Sequence, residues 1–144
     1  MLRLTKTYRF SASHRLHSQR LSAAENARVF GKCNNPQGHG HNYILSVSVS
    51  GKPDPSSGLL LSRSRLDALV DRTVLAGLDY THLNTGVEEF REIVPTTENL
   101  SLLIHRRLSQ AWEQEFGRQS PRLDRVRVEE TARNFFEVTG EPAL

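Results

Sequence analysis

The stretch His39-Gly40-His41-Asn42-Tyr43-Ile44-Leu45-Ser46-Val47-Ser48-Val49-Ser50 decides how the chain is read. Tyr43, Leu45, Val47 and Val49 share one face at period two, and Ser46, Ser48 and Ser50 share the other. That alternation marks a strand with one buried and one polar face. After it, residues 51–58 are rich in Gly, Pro, Asp and Ser and read as a turn, and residues 59–61 read as a short strand. Before it, residues 2–10 put Leu2, Leu4, Tyr8 and Phe10 on one face, with Lys6 interrupting, and predict another strand. Residues 15–38 between the two strands form a long ordered loop, with a short helix expected over residues 23–29.

Further along the chain the period changes. Leu66, Leu69, Val70, Thr73 and Val74 follow helical spacing, with Ser62 or Ser64 as cap and Gly77 as stop. A second helix carries Leu100, Leu103, Ile104, Leu108, Ala111 and Trp112 on one stripe. Thr96 or Thr97 caps its start, Glu98 suits its positive end, and Gly117 closes it. Val126, Val128 and Glu130 then alternate with Arg125, Arg127 and Glu129, and Phe135, Phe136 and Val138 suggest a returning strand. Strands on either side of a helical block predict an α+β fold with an antiparallel sheet, as one domain over residues 1–144.

The 144 residues are 37% hydrophobic and 24% charged, which excludes a strongly charged disordered chain. No run approaches the roughly 20 apolar residues that span a bilayer, so no membrane partner is expected. The opening residues 1–6 hold no long apolar run, so no secretory signal is expected either. Nineteen Lys and Arg against sixteen Asp and Glu give +3, with both signs mixed along the chain. No nucleic-acid stripe stands out, and a small anionic ligand fits the charge. A single cysteine, Cys33, forms no internal disulfide, and a reduced cytoplasmic setting is the default.

The histidines carry the chemistry. His39 and His41 point the same way on a strand, so their imidazoles can converge on one ion. His14, just after the first strand, reaches the same point if the two strands pair. Three histidines without a second sulfur suit zinc with an open fourth position. The alternative is two polar strand residues, one facing solvent. His17 and His105 read as a loop residue and a helix-surface residue. Cys33, beside Lys32, Asn34 and Asn35, reads as a base or nucleophile, as a fourth ligand, or as a small buried side chain. Glu130 lies on the apolar side of its strand. Either that strand end is open to water, or the carboxylate anchors a ligand with two adjacent N–H donors.

Several tracts together resemble the 6-pyruvoyl-tetrahydropterin synthase family. They are Phe10-Ser11-Ala12-Ser13-His14-Arg15-Leu16, Phe30-Gly31-Lys32-Cys33-Asn34-Asn35-Pro36 and Gly38-His39-Gly40-His41-Asn42-Tyr43. Asp54-Pro55 with Gly58-Leu59, Thr96-Thr97-Glu98-Asn99 and Glu130-Thr131 belong to the same pattern, which covers nearly the whole chain. The wider family includes the 6-carboxytetrahydropterin synthases of queuosine biosynthesis, and the Cys-Asn-Asn-Pro form here is nearer the pyruvoyl branch.

The resemblance implies a tunnelling fold, a four-stranded antiparallel sheet with two helices packed on one face. It implies trimers whose sheets join into a barrel, stacked in pairs as homohexamers. It implies zinc held by His14, His39 and His41, Cys33 as general base, and Glu130 as pterin anchor helped by Thr96 and Thr97. The implied activity is a carbon–oxygen lyase of tetrahydrobiopterin biosynthesis, converting 7,8-dihydroneopterin triphosphate to 6-pyruvoyl-tetrahydropterin without an external redox cofactor. Lys32, Arg15, Arg28 and Arg133 are candidates for the triphosphate. The pattern departs from the family at one place. Where the family has Leu-Asp-His, with Asp and His in a relay to the cysteine, this chain reads Leu78-Asp79-Tyr80, and His82 follows two residues later. With residues 80–82 extended, His82 stands in for the missing histidine beside Asp79. The other reading makes His82 a surface residue and puts Tyr80 in the pocket. Two further functions stay open, a 6-carboxytetrahydropterin synthase and a pterin-binding zinc protein of low turnover.

Overall fold

A computed structural model describes residues 1–140. Four long strands dominate it. β1 (Leu2–His14) pairs antiparallel with β2 (His39–Gly51), β2 with β4 (Arg122–Thr131), and β4 with β5 (Asn134–Thr139). A fifth strand, β3 (Thr81–His82), adds two residues in parallel to the free edge of β1, so the order is β3-β1-β2-β4-β5. The expected four-stranded antiparallel sheet is therefore present with one short parallel addition.

The alternation in β2 does what it predicts. Tyr43, Leu45, Val47 and Val49 are fully buried, and β4 sets Val128 opposite Leu45 and Val126 opposite Val47. Burying each such side chain contributes roughly 1.5–3 kcal/mol. The helices cover this face. α1 (Ala23–Phe30) sits in the long loop and opens on a capping box between Ser22 and Glu25. α2 (Arg63–Val70), capped by Ser62, runs on through a π-helical turn at Asp71–Leu75 into α3 (Ala76–Leu78). A one-turn α4 (Leu83–Gly86) follows β3. α5 (Thr97–Phe116), capped by Thr96, lays Leu100, Leu103, Ile104, Leu108 and Trp112 on the sheet.

Lys6 does not break the inner face of β1. Its ammonium meets both oxygens of Asp67 on α2 at 2.6 and 2.8 Å, and Tyr8 donates its hydroxyl to the same carboxylate at 2.7 Å. The polar side chain is thus paired where the sheet meets a helix.

Two local expectations are corrected. Residues 59–61 are not a strand. The turn closes on itself, with the Asp54 N–H bonded to Leu59 O and the Asp54 carboxylate accepting from Ser56 and Ser57, so no sheet edge is offered to them. His105 is buried, at 3% exposure, and not on the helix surface. It shares an inward stripe with Ser101, Leu108 and Trp112, so the buried face of α5 is wider than its apolar residues alone suggest.

Candidate functional site

Strand register builds the histidine cluster. β1 runs four residues past Phe10 and ends on His14, which lies directly opposite His39, while His41 lies opposite Ala12. His14, His39 and His41 all face the helices. Their ring centroids are 4.7, 5.1 and 4.8 Å apart, and one donor nitrogen from each lies within 4.8 Å of the others. Bonds of about 2 Å to one shared tetrahedral ion bring nitrogens to about 3.3 Å, a spacing the His14 and His39 Nε2 atoms already have at 3.1 Å. Among the described residues this is the one such group of three.

The surroundings prepare the imidazoles for an ion. His14 is fully buried and its Nδ1–H donates to the Pro95 carbonyl oxygen at 2.8 Å, which leaves Nε2 as a lone pair. That Nε2 lies 3.1 Å from His39 Nε2. His41 Nε2 is buried and makes no hydrogen bond among the described residues, although Glu130 Oε1 is 3.1 Å away. Burial lowers the pKa of His14 and of His41, opposed at His14 mainly by the Pro95 carbonyl and at His41 by Glu130. Converging imidazole nitrogens, two of them on buried rings that disfavour the charged form and one without a hydrogen bond, fit a bound metal ion.

Gly38 makes the approach possible. At φ +74° it lies beneath His14, and a Cβ there would come within 2.8 Å of the His14 carbonyl oxygen.

Around the cluster stand three further side chains. Glu130 continues the inward face of Val126 and Val128 on β4 and reaches His41. Thr97, nearly buried at the start of α5, donates its hydroxyl to Glu130 Oε2 at 2.7 Å. Thr96, next to it, is occupied as the helix cap and accepts from the Asn99 N–H. Cys33 lies half-buried in the 3₁₀ turn Gly31–Asn34, and its carbonyl accepts from the Leu16 N–H at 2.8 Å. Asn34 donates to Leu16 O, and Asn84 brackets Arg15 through both its N–H and its carbonyl, at 2.8 Å each. The segment after His14 is thereby tied to the turn that carries the thiol.

A family profile described as 6-pyruvoyl tetrahydropterin synthase matches residues 3–141. The chain belongs to the 6-pyruvoyl tetrahydropterin synthase family. It is 39% identical over 138 residues to the 6-pyruvoyl tetrahydrobiopterin synthase of Poecilia reticulata, covering 96% of this chain and 90% of that one. It is 39% identical over 138 residues to the Dictyostelium discoideum protein of the same name, covering 96% of each. The structure of the Caenorhabditis elegans 6-pyruvoyl tetrahydropterin synthase superposes with a TM-score of 0.87 at 37% identity, over 97% of this chain and 96% of that one.

Within this 6-pyruvoyl tetrahydropterin synthase fold, the expected relay residues Asp79 and His82 sit along the edge of β1. Asp79 accepts from the Ser11 N–H at 2.9 Å, and the Tyr80 N–H bonds to Ser11 O at 2.6 Å, so both hold the edge of β1. Residues 80–82 are not one extended run. Tyr80 takes a left-handed φ of 57° and is 88% exposed, so it is not buried with the histidines. His82 pairs in register with Ser13, and so lies on the sheet face opposite His14. There it borders a cleft with Ser11, Asn42 and Tyr80. His17 accepts from the Asn34 side chain at 2.9 Å, in keeping with a loop role.

Periodicity marks Tyr43 as core and not as a site residue. It is fully buried and stacks on Phe10 at 4.9 Å, yet its hydroxyl has no hydrogen-bond partner among the described residues. Burial and the Glu130 charge push its phenol pKa well up, with Thr97 acting the other way and Cys33 also within electrostatic range. An unmet buried hydroxyl costs about 1–3 kcal/mol, so it calls for an explanation. The one sequence signal was a tyrosine, rather than a phenylalanine, two residues after His41 on a core face.

Proposed function

We propose that this chain, acting as one domain over residues 1–144, is a zinc-dependent carbon–oxygen lyase. It converts 7,8-dihydroneopterin triphosphate to 6-pyruvoyl-tetrahydropterin and releases triphosphate. The observation that carries this is the convergence of His14, His39 and His41 beside Glu130 and Thr97 at the start of α5. The three imidazoles would hold zinc, which would supply Lewis acidity to the side-chain hydroxyls and raise the acidity of neighbouring C–H bonds. Cys33 is the general base that takes a proton from carbon. Glu130, its carboxylate oriented by Thr97, accepts from the amino and ring N–H donors of the pterin, with Thr96 alongside. Hydrogen moves within the substrate, so no external redox cofactor is required.

Asp79 and His82 serve as the relay to the cysteine in this proposal. Because His82 stands on the face opposite His14 and Asp79 at the edge of β1, they serve the site of a neighbouring subunit. This favours a homohexamer built from two trimers. The edge position of β5 in the sheet supports the same reading, since it leaves a strand for another chain to pair with. The setting proposed is the cytoplasm, and among the described residues no helix is long and apolar enough to cross a membrane.

Incubating zinc-loaded protein with 7,8-dihydroneopterin triphosphate and identifying products by mass spectrometry tests the reading. Triphosphate with 6-pyruvoyl-tetrahydropterin supports it. Acetaldehyde with 6-carboxytetrahydropterin replaces it with the queuosine-pathway reaction. Tight pterin binding with no product leaves a zinc- and pterin-binding protein.

A further inference from the structure

Tyr43 holds an unusual position for a residue with a hydroxyl. Its ring is part of the core, stacked on Phe10 with an interplanar angle of 16°. The His41 ring is 5.5 Å from the Tyr43 ring, and Glu130, Thr97 and Cys33 lie near enough to act on its hydroxyl. None of these meets it at hydrogen-bond geometry, although the Thr97 hydroxyl lies close enough to act on it. The Thr97 proton goes to Glu130 Oε2, Glu130 Oε1 leans on His41, and the hydroxyl is left without a hydrogen bond among the described residues. A phenylalanine would fill the same volume without the unmet group. The oxygen is thus retained at a cost to the fold, in the pattern expected where a polar group serves a ligand.

We propose that the Tyr43 hydroxyl is a specificity-determining donor that hydrogen-bonds the 4-carbonyl oxygen of the bound pterin. The inference rests on the pterin reading given above and extends it by one contact. A pterin presents, along one edge, an amino group, a ring N–H and a carbonyl, which is a donor–donor–acceptor row. The Glu130 carboxylate answers the two donors. The acceptor beside them requires a donor, and Tyr43 is the unspent donor next to Glu130. A ligand with a donor at the 4-position would leave two donors facing each other and is rejected.

The test compares zinc-loaded wild-type protein with Tyr43→Phe, reading zinc content, thermal midpoint and affinity by titration calorimetry. The probes are 7,8-dihydroneopterin and a 2,4-diaminopteridine carrying the same side chain, in which an amino group replaces the carbonyl and the adjacent ring nitrogen loses its hydrogen, so each probe is compared only between wild type and variant. Tyr43→Phe is expected to weaken 7,8-dihydroneopterin binding about tenfold, the usual loss for one hydrogen bond to a ligand. It is expected to leave diaminopteridine affinity, zinc content and thermal midpoint unchanged, or the midpoint raised. Unchanged affinity for 7,8-dihydroneopterin overturns the proposal, as does an equal loss for both probes or a lowered midpoint, which would mark a structural hydroxyl. Failure of wild-type protein to bind either probe overturns the pterin reading itself, and this contact with it.

Discussion

The Nδ1–H of His14 donates to the carbonyl oxygen of Pro95 at 2.8 Å, just before α5 begins. A carbonyl can only accept, so this bond fixes the tautomer and turns the Nε2 lone pair toward His39. One backbone group on the helix side thus sets the chemistry of a side chain at the end of β1.

The first prediction concerns acid. Burial holds the His14 and His41 pKa values below the ordinary histidine range in the folded chain. The unfolded chain, with ordinary values near 6.5, therefore takes up protons first as pH falls. Metal-free protein should lose stability below about pH 6.5, and above it these two groups should contribute no slope. Thermal midpoints between pH 5 and 7.5 in chelator, for wild type and His14→Asn, check this. The variant should show the shallower decline, and an equal or steeper one would contradict the assignment.

The second concerns the thiol. Cys33→Ala should abolish turnover, by a factor on the order of 10²–10⁴, because the proton acceptor is gone. Zinc content by atomic emission should stay at the wild-type level. Loss of the ion from this variant would make Cys33 a ligand instead.

The third concerns the carboxylate. Glu130→Gln should weaken pterin binding roughly tenfold to a hundredfold, since a charged acceptor becomes in part a donor. Thr97→Val should cost less, because it only frees the oxygen Oε2. Calorimetry on both variants gives the order, and an unaffected Glu130→Gln would remove the anchor from the proposal.

The fourth is a control on the fold. Asp67→Ala should destabilise by about 1–2 kcal/mol, since it strands the Lys6 ammonium and the Tyr8 hydroxyl, while partial exposure of both charges limits the loss. Its turnover should match wild type. Urea unfolding and steady-state rates together check both halves.

Much of the fold is written in local periodicity. β2 shows it in Tyr43, Leu45, Val47 and Val49, and α5 in Leu100, Leu103, Ile104 and Leu108, because burial on one face constrains every second or every third to fourth residue. The histidine cluster was legible for the same reason, since pairing of β1 with β2 brings His14 to His39. Other features depend on contacts distant in sequence. Burial of His105, the two-residue β3 and the irregular path of residues 59–61 follow from what packs or fails to pair beside them. An extended backbone over residues 80–82 fails at Tyr80, because nothing in an ordinary tyrosine signals its left-handed φ. Tyr43 looked like core, and its unmet hydroxyl appears only once its neighbours are in place.

The account turns on three imidazoles sharing one ion. Titrating metal-free protein with zinc, and in parallel with cobalt(II) as a spectroscopic substitute, measures that directly. One equivalent per chain, with the intense visible absorption of a tetrahedral cobalt site and its loss in His39→Ala, is the predicted result. Failure to retain either ion, or retention unchanged in His39→Ala, would contradict it.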